Sequence, residues 1–168
     1  MIQIKWKITD SLKEVDLKEF NNEWNGIYGY FEICVNNHTI CYCPNRELLI
    51  GEEGNEDILY WLYKLLEGIS FLNSYNVYEI QLLSLNSVKI VLKKSKKIKF
   101  SLVNSNTDEI IWSEKISMEE LYKGVRSSVS KFIEEVQSIN ALLLNANIVN
   151  DLVEKYSCDF DILHNGGK

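Results

Sequence analysis

Histidine, arginine and proline are scarce in this chain of 168 residues. It holds two histidines, His38 and His164, two arginines, Arg46 and Arg126, and one proline, Pro44. No apolar run approaches the ~20 residues that a bilayer-spanning helix requires. The N-terminal stretch MIQIKWKITD alternates apolar and polar residues, which is a strand pattern, whereas a signal peptide needs a charged block and then an apolar one. These two absences lead us to expect a cytoplasmic protein with no membrane partner. Without an export signal, the four cysteines Cys34, Cys41, Cys43 and Cys158 read as free thiols of a reducing compartment.

Catalytic signatures are missing too. The chain has no glycine-rich dinucleotide or phosphate loop, no G-x-S-x-G elbow and no H-E-x-x-H pair. Histidine is the commonest general base, but His38 falls on a turn and His164 in a C-terminal tail. A carboxylate pair can work alone, as in glycosidases, yet 24 acids single out no pair. The most suggestive cluster is Cys34-x3-His38-x2-Cys41-x-Cys43. A structural zinc site needs four ligands converging at about 2.0–2.3 Å, with its cysteine pairs usually on turns. Three cysteines on flat strands and a turn histidine lack that spacing, and read as small packing residues. The expectation is a protein that is not an enzyme, with no catalytic residue, no metal and no cofactor.

Charge is present in quantity but unevenly placed. The net charge is −6, yet Lys89, Lys93, Lys94, Lys96, Lys97 and Lys99 lie in an eleven-residue stretch without an acid. Outside it, 24 acids face 12 bases, leaving −12 on the remainder. A nucleic-acid footprint normally comes with a basic domain and interleaved aromatics or arginine. Here the pI is near 5.0 and the lone aromatic nearby is Phe100. The lysines read instead as protection of a hairpin edge against aggregation, and no nucleic-acid partner is expected.

The chain fits one domain, since single cores of about 100–200 residues are the common case. We expect residues 1–163 to form it and residues 164–168 to be a disordered tail. Ile2, Ile4, Trp6 and Ile8 share one face of an opening strand, and Leu12, Val15, Leu17 and Phe20 suit a short amphipathic turn. A hairpin follows, Ile27–Val35 and Thr39–Cys43. A two-residue Asn37-His38 loop would pair Val35 with Ile40 and Ile33 with Tyr42, and put Cys34 across from Cys41. Asn55 suits the N-cap of a helix over about Glu56–Leu72, with Ile58, Trp61, Leu62, Leu65, Leu66, Ile69 and Leu72 at helical spacing. Four strands follow over about Val77–Leu83, Val88–Lys93, Lys97–Val103 and Glu109–Lys115, with a turn at Leu85-Asn86-Ser87. Short connections make them antiparallel. Ser117 and Glu120 match a capping box opening a helix over about Met118–Asn140, and a last helix covers about Asn147–Tyr156. The fold class is therefore α+β: a single antiparallel sheet of six or seven strands, one inserted helix, and C-terminal helices covering one face.

Two features suggest a partner surface. The loop after Pro44 carries Glu47, Glu52, Glu53, Glu56 and Asp57, and Tyr28 and Tyr30 point outward from their strand, where tyrosine is a favoured interface anchor. Gly29-Tyr30-Phe31-Glu32-Ile33-Cys34-Val35-Asn36-Asn37, then Pro44, then Ile58-Leu59-Tyr60-Trp61-Leu62, resembles the front half of several bacterial immunity proteins. These are antidotes of polymorphic and contact-dependent growth inhibition toxins, and the similarity covers residues 24–72. It implies a stoichiometric inhibitor of a cognate toxin domain, often a nuclease, but transfers no site residue, because these families share no inhibitory motif. An acidic surface suits a basic toxin, since complementary potentials speed encounter and reject wrong partners. The alternatives are another acidic binding module, such as a secretion chaperone, and a small enzyme using carboxylates or cysteines.

Overall fold

Alternation of apolar residues decides the first sheet. In the computed structural model, which describes residues 1–82 and 87–165 with side chains as far as Cys158, strand β1 (Ile2–Ile8) pairs antiparallel with β2 (Tyr28–Val35). The 3₁₀ turn Leu12–Glu14 and helix α1 (Leu17–Glu23) lie between them. β2 is central. Its other side carries β3 (His38–Tyr42) along Phe31–Val35 and the two-residue β4 (Glu56–Asp57) at Tyr28–Gly29. Phe31, Ile33 and Val35 are fully buried, while Tyr30, Glu32 and Cys34 between them are only half-buried.

Helix α2 (Ile58–Ser74) follows β4 directly, and its whole apolar stripe is buried. Trp61 stacks on Phe31 with ring centroids 5.4 Å apart. A four-stranded antiparallel meander comes next: β5 (Val77–Gln81), β6 (Val88–Lys94), β7 (Ile98–Asn104) and β8 (Ile110–Ile116). The expected turn at Leu85-Asn86-Ser87 falls largely outside the described residues. Helix α3 (Met118–Ile139) opens on the Ser117–Glu120 capping box and buries Leu121, Val125, Val129, Phe132 and Val136. It lies so close over β1 that a Cβ on Gly124 would meet Ile2 at 2.4 Å. A short 3₁₀ turn, Ala141–Asn145, leads into α4 (Asn147–Asn165), nine residues longer than the sequence pattern suggested. Helix α4 thus takes in His164 and Asn165 of the expected tail, and residues 166–168 lie outside the described ones. Among the described residues no helix is long and apolar enough to cross a membrane.

The chain is α+β, but the expected single sheet is two sheets of four strands each. Edge strands β3 and β8 meet through side chains in place of a backbone ladder. Asn36 Nδ2 donates to Glu114 at 2.7 Å, His38 Nδ1 lies 3.0 Å from the same carboxylate, and the His38 ring stacks on Trp112 at 4.9 Å. The hairpin register also differs. Its loop is Asn36-Asn37, Asn36 takes the left-handed backbone (φ +53°), and Val35 pairs with His38 and Ile33 with Ile40. Asparagine tolerates that conformation, and the early turn lets Asn36 N–H extend the β1–β2 ladder to the Met1 carbonyl. The expected cap at Asn55 moves as well. Asp57 caps α2 by accepting from the Tyr60 amide at 3.0 Å, because Glu56 and Asp57 are drawn into pairing with β2.

Candidate partner-docking loop

The thirteen residues from Cys43 to Asn55 join β3 to β4 and are fastened at both ends. At the leading end Cys43 and Pro44 are buried, the Cys43 amide donates to Glu32, and the Lys7 ammonium donates to the Arg46 carbonyl. At the trailing end the Gly54 amide donates to Thr9 Oγ1 at 3.2 Å. The Gly54 backbone passes Gly29 so closely that a Cβ there would fall 2.0 Å from the Gly29 carbonyl carbon, and only glycine fits.

Between these ends an internal clasp holds the loop. Both terminal guanidinium nitrogens of Arg46 donate to the Glu52 carboxylate, at 2.5 and 2.7 Å, and the same carboxylate accepts from the Leu49 amide at 2.7 Å. Glu52 N–H in turn donates to the Leu49 carbonyl. A two-pronged arginine–carboxylate pair fixes direction as well as distance. The Arg46 hydrogen bonds, and then the Leu49 amide, hold the Glu52 carboxyl down at about 2, so it stays ionised at neutral pH. Gly51, at φ +84°, makes the turn that brings Glu52 back. The clasp displays Leu49 and Ile50, which are 69% and 107% exposed. Tyr42, at the end of β3, is also exposed, and the left-handed backbone of Cys41 (φ +61°) interrupts the strand just before it.

The expected site residues divide by this geometry. Glu52 is the clasp itself. Glu56 accepts the Trp61 indole N–H at 2.9 Å and faces Cys41. Asp57 is the α2 cap, its carboxyl raised by burial. These three acids serve the fold. Glu47 and Glu53 are exposed, and no ion pair with either occurs among the described residues. Glu53 borders an open cleft of about 530 Å³ lined also by Thr9, Asp10 and Tyr28, where burial raises the Asp10 carboxyl. Tyr28 belongs to that cleft and its hydroxyl donates to Asn25 at 2.9 Å, whereas Tyr30 lies within electrostatic reach of Arg46. The loop thus carries Glu47, Glu52 and Glu53, with Tyr28 across the cleft from Glu53, whereas Glu56 and Asp57 pair with β2. Leu49 and Ile50 escaped the sequence reading, although two apolar residues before a glycine in an acidic loop are a usable signal.

No protein-family model, curated protein or solved structure matches this chain. Its chemistry must be read from its own surface.

The cysteines do not face one point. Cys34 lies opposite Thr39, Cys41 opposite Glu32, and the three neighbouring thiols look in different directions: Cys34 toward the Asn36 carbonyl, Cys41 toward Glu56, and Cys43, just past β3, toward Lys7 and Glu32. Among the described residues, no group of three or more His, Cys, Asp or Glu is placed to hold a metal ion. Burial, reinforced by Glu56, pushes the Cys41 thiol up to about 12, and burial raises Cys43 as well. Because the thiolate is the reactive form, exposed Cys158 should react with a thiol reagent at neutral pH in the native protein. Cys41 and Cys43 should stay protected until denaturant is added. Mass spectrometry of the alkylated protein checks this, and early labelling of Cys41 would show that β3 opens on its own.

Proposed function

We propose that this protein is an immunity-type inhibitor that docks one basic toxin domain through the Cys43–Asn55 loop. The observation that carries this reading is the clasped, acid-flanked display of Leu49 and Ile50. A loop tip of two bare aliphatic side chains is costly in water, at roughly 25 cal/mol per Å² of apolar surface, and it gains that area back when a partner covers it. Interface energy concentrates in a few well-packed, desolvated residues surrounded by contacts that exclude water. Glu47 and Glu53 flank the tip and supply the charge that steers a basic partner toward it. The resemblance of residues 24–72 to immunity proteins points to the same end of the molecule, since that segment contains β2, β3, the loop and α2.

The test is co-expression with the C-terminal domain of the protein encoded immediately upstream. We expect one-to-one co-elution and relief of that domain's growth inhibition. Reversing Glu47 and Glu53 to lysine should slow association severalfold at low salt and little at high salt, because exposed charges are screened beyond about 8 Å at physiological ionic strength. Glu52 is unsuited to such a test, since its reversal opens the clasp. Absence of a complex at low salt would overturn the proposal.

A further inference from the structure

The opposite charge collects at the far end of the second sheet. Along the β5–β8 register, Val77 pairs with Lys93, Lys93 with Lys99, and Lys99 with Lys115, so three lysines stand directly opposite one another in one row. Lys96 and Lys97 sit at the adjoining β6–β7 turn. Like charges placed directly opposite across strands destabilise a sheet, and among the described residues none of these five lysines has an ion-pair partner. Lys89, at the other end of the same face, is bracketed by Glu79 and Asp108, each at 3.1 Å. Glu79, one same-face step along β5 from the row, is already engaged by Lys89, and Glu119 and Glu120 at the start of α3 are held by Lys123 at 2.6 Å and by the Met1 amino group at 3.3 Å. Lys94 differs from the five: it turns inward and caps α2 at the Leu72 carbonyl.

Apolar side chains share this end. Phe71 and Tyr75, at the close of α2, stack on each other at 4.3 Å and are exposed, as is Val77 at the start of β5. From these placements we infer that the lysine end of the second sheet is a peripheral docking surface for an anionic phospholipid bilayer. Lysines beside a bilayer are drawn to its negative surface, and amphipathic tyrosine settles at headgroup level. A long polyanion laid along the face would run from the lysine row into Glu79 and Asp108, so the unpaired charge suits a flat surface meeting the sheet end-on. A single-stranded nucleic acid also needs a series of open ring faces for successive bases, and with Phe71 held between Tyr75 and Tyr78 this end offers only the outer face of Tyr75. The sequence led us to expect no membrane partner because no span is present, but surface docking requires none. This inference goes beyond the inhibitor reading and does not rest on it.

Co-sedimentation of the full chain with vesicles tests it. Vesicles containing phosphatidylglycerol should bind the protein and pure phosphatidylcholine vesicles should not, with binding falling as salt is raised. Each lysine at such a surface is worth about a fivefold change in partitioning. Lys99→Glu lowers the row's charge by two and pairs with its flanking lysines, so it keeps the fold while lowering partitioning about 25-fold. Tyr75→Ser should lower it by a smaller factor. Three results overturn the inference: no vesicle binding in low salt, binding that Lys99→Glu leaves unchanged, or capture of a single-stranded oligonucleotide by protein that ignores both vesicles.

Discussion

Phe132→Asp should abolish the cooperative thermal transition of the protein. Phe132 is fully buried on α3 and meets Trp6 of β1 edge-on, with centroids 6.1 Å apart. Trp6 is held in turn by its indole N–H, which donates to Glu135 one turn further along α3. Truncating a buried phenylalanine costs about 3–5 kcal/mol, and an unpaired buried carboxylate adds several more. The total approaches the whole stability of an ordinary domain, about 5–15 kcal/mol. Phe132→Leu is the control, because a hydrophobic swap of similar volume costs under about 1.5 kcal/mol. Circular dichroism melts of both variants decide it. A Phe132→Asp protein with an unchanged midpoint would place this face of α3 outside the core.

The second large effect concerns binding. Leu49→Ser combined with Ile50→Ser should weaken the complex with the toxin domain at least a hundredfold while leaving the melting temperature in place. Neither side chain supports the fold, and surface substitutions of that kind stay within about 0.5 kcal/mol. A buried interface anchor is worth about 2 kcal/mol or more on truncation. Serine is the replacement of choice, since aspartate would add attraction to a basic partner and mask the loss. The loss should appear as faster dissociation, whereas reversal of Glu47 and Glu53 should appear as slower association. Surface plasmon resonance separates the two. An affinity indifferent to the serine pair would move the interface away from the loop tip.

The elements themselves were legible in the sequence because each has a strong period. The α2 stripe from Ile58 to Leu72 and the α3 stripe from Leu121 to Val136 leave no competing assignment, and Ser117 with Glu120 marks a helix start by local chemistry alone. The hairpin register was not legible, for a definite reason. Sliding the strands by two residues keeps Phe31, Ile33, Val35 and Ile40 on the buried face, so apolar alternation is blind to the choice. What settles it is the bonding of Asn36 to Met1 and Glu114, contacts 35 and 78 residues away. The split into two sheets is hidden in the same way, since an edge joined by His38, Asn36, Glu114 and Trp112 has no strand pattern to betray it. At the loop, counting acids gave every carboxylate one role. Geometry assigns Glu52, Glu56 and Asp57 to the frame and leaves Glu47 and Glu53 exposed.

That division has a consequence for how the protein can diverge. The Arg46–Glu52 clasp, Gly51 and the Gly54–Gly29 crossing shape the loop without calling on the side chains at positions 47–50. The exposed positions 47, 49 and 50 can be rewritten one by one with little penalty in folding, so new recognition can arise on an unchanged frame. Two lineages with the same architecture could then answer to different partners while differing mainly at a handful of tip residues. Grafting the tip of one onto the other should transfer recognition without rebuilding the domain.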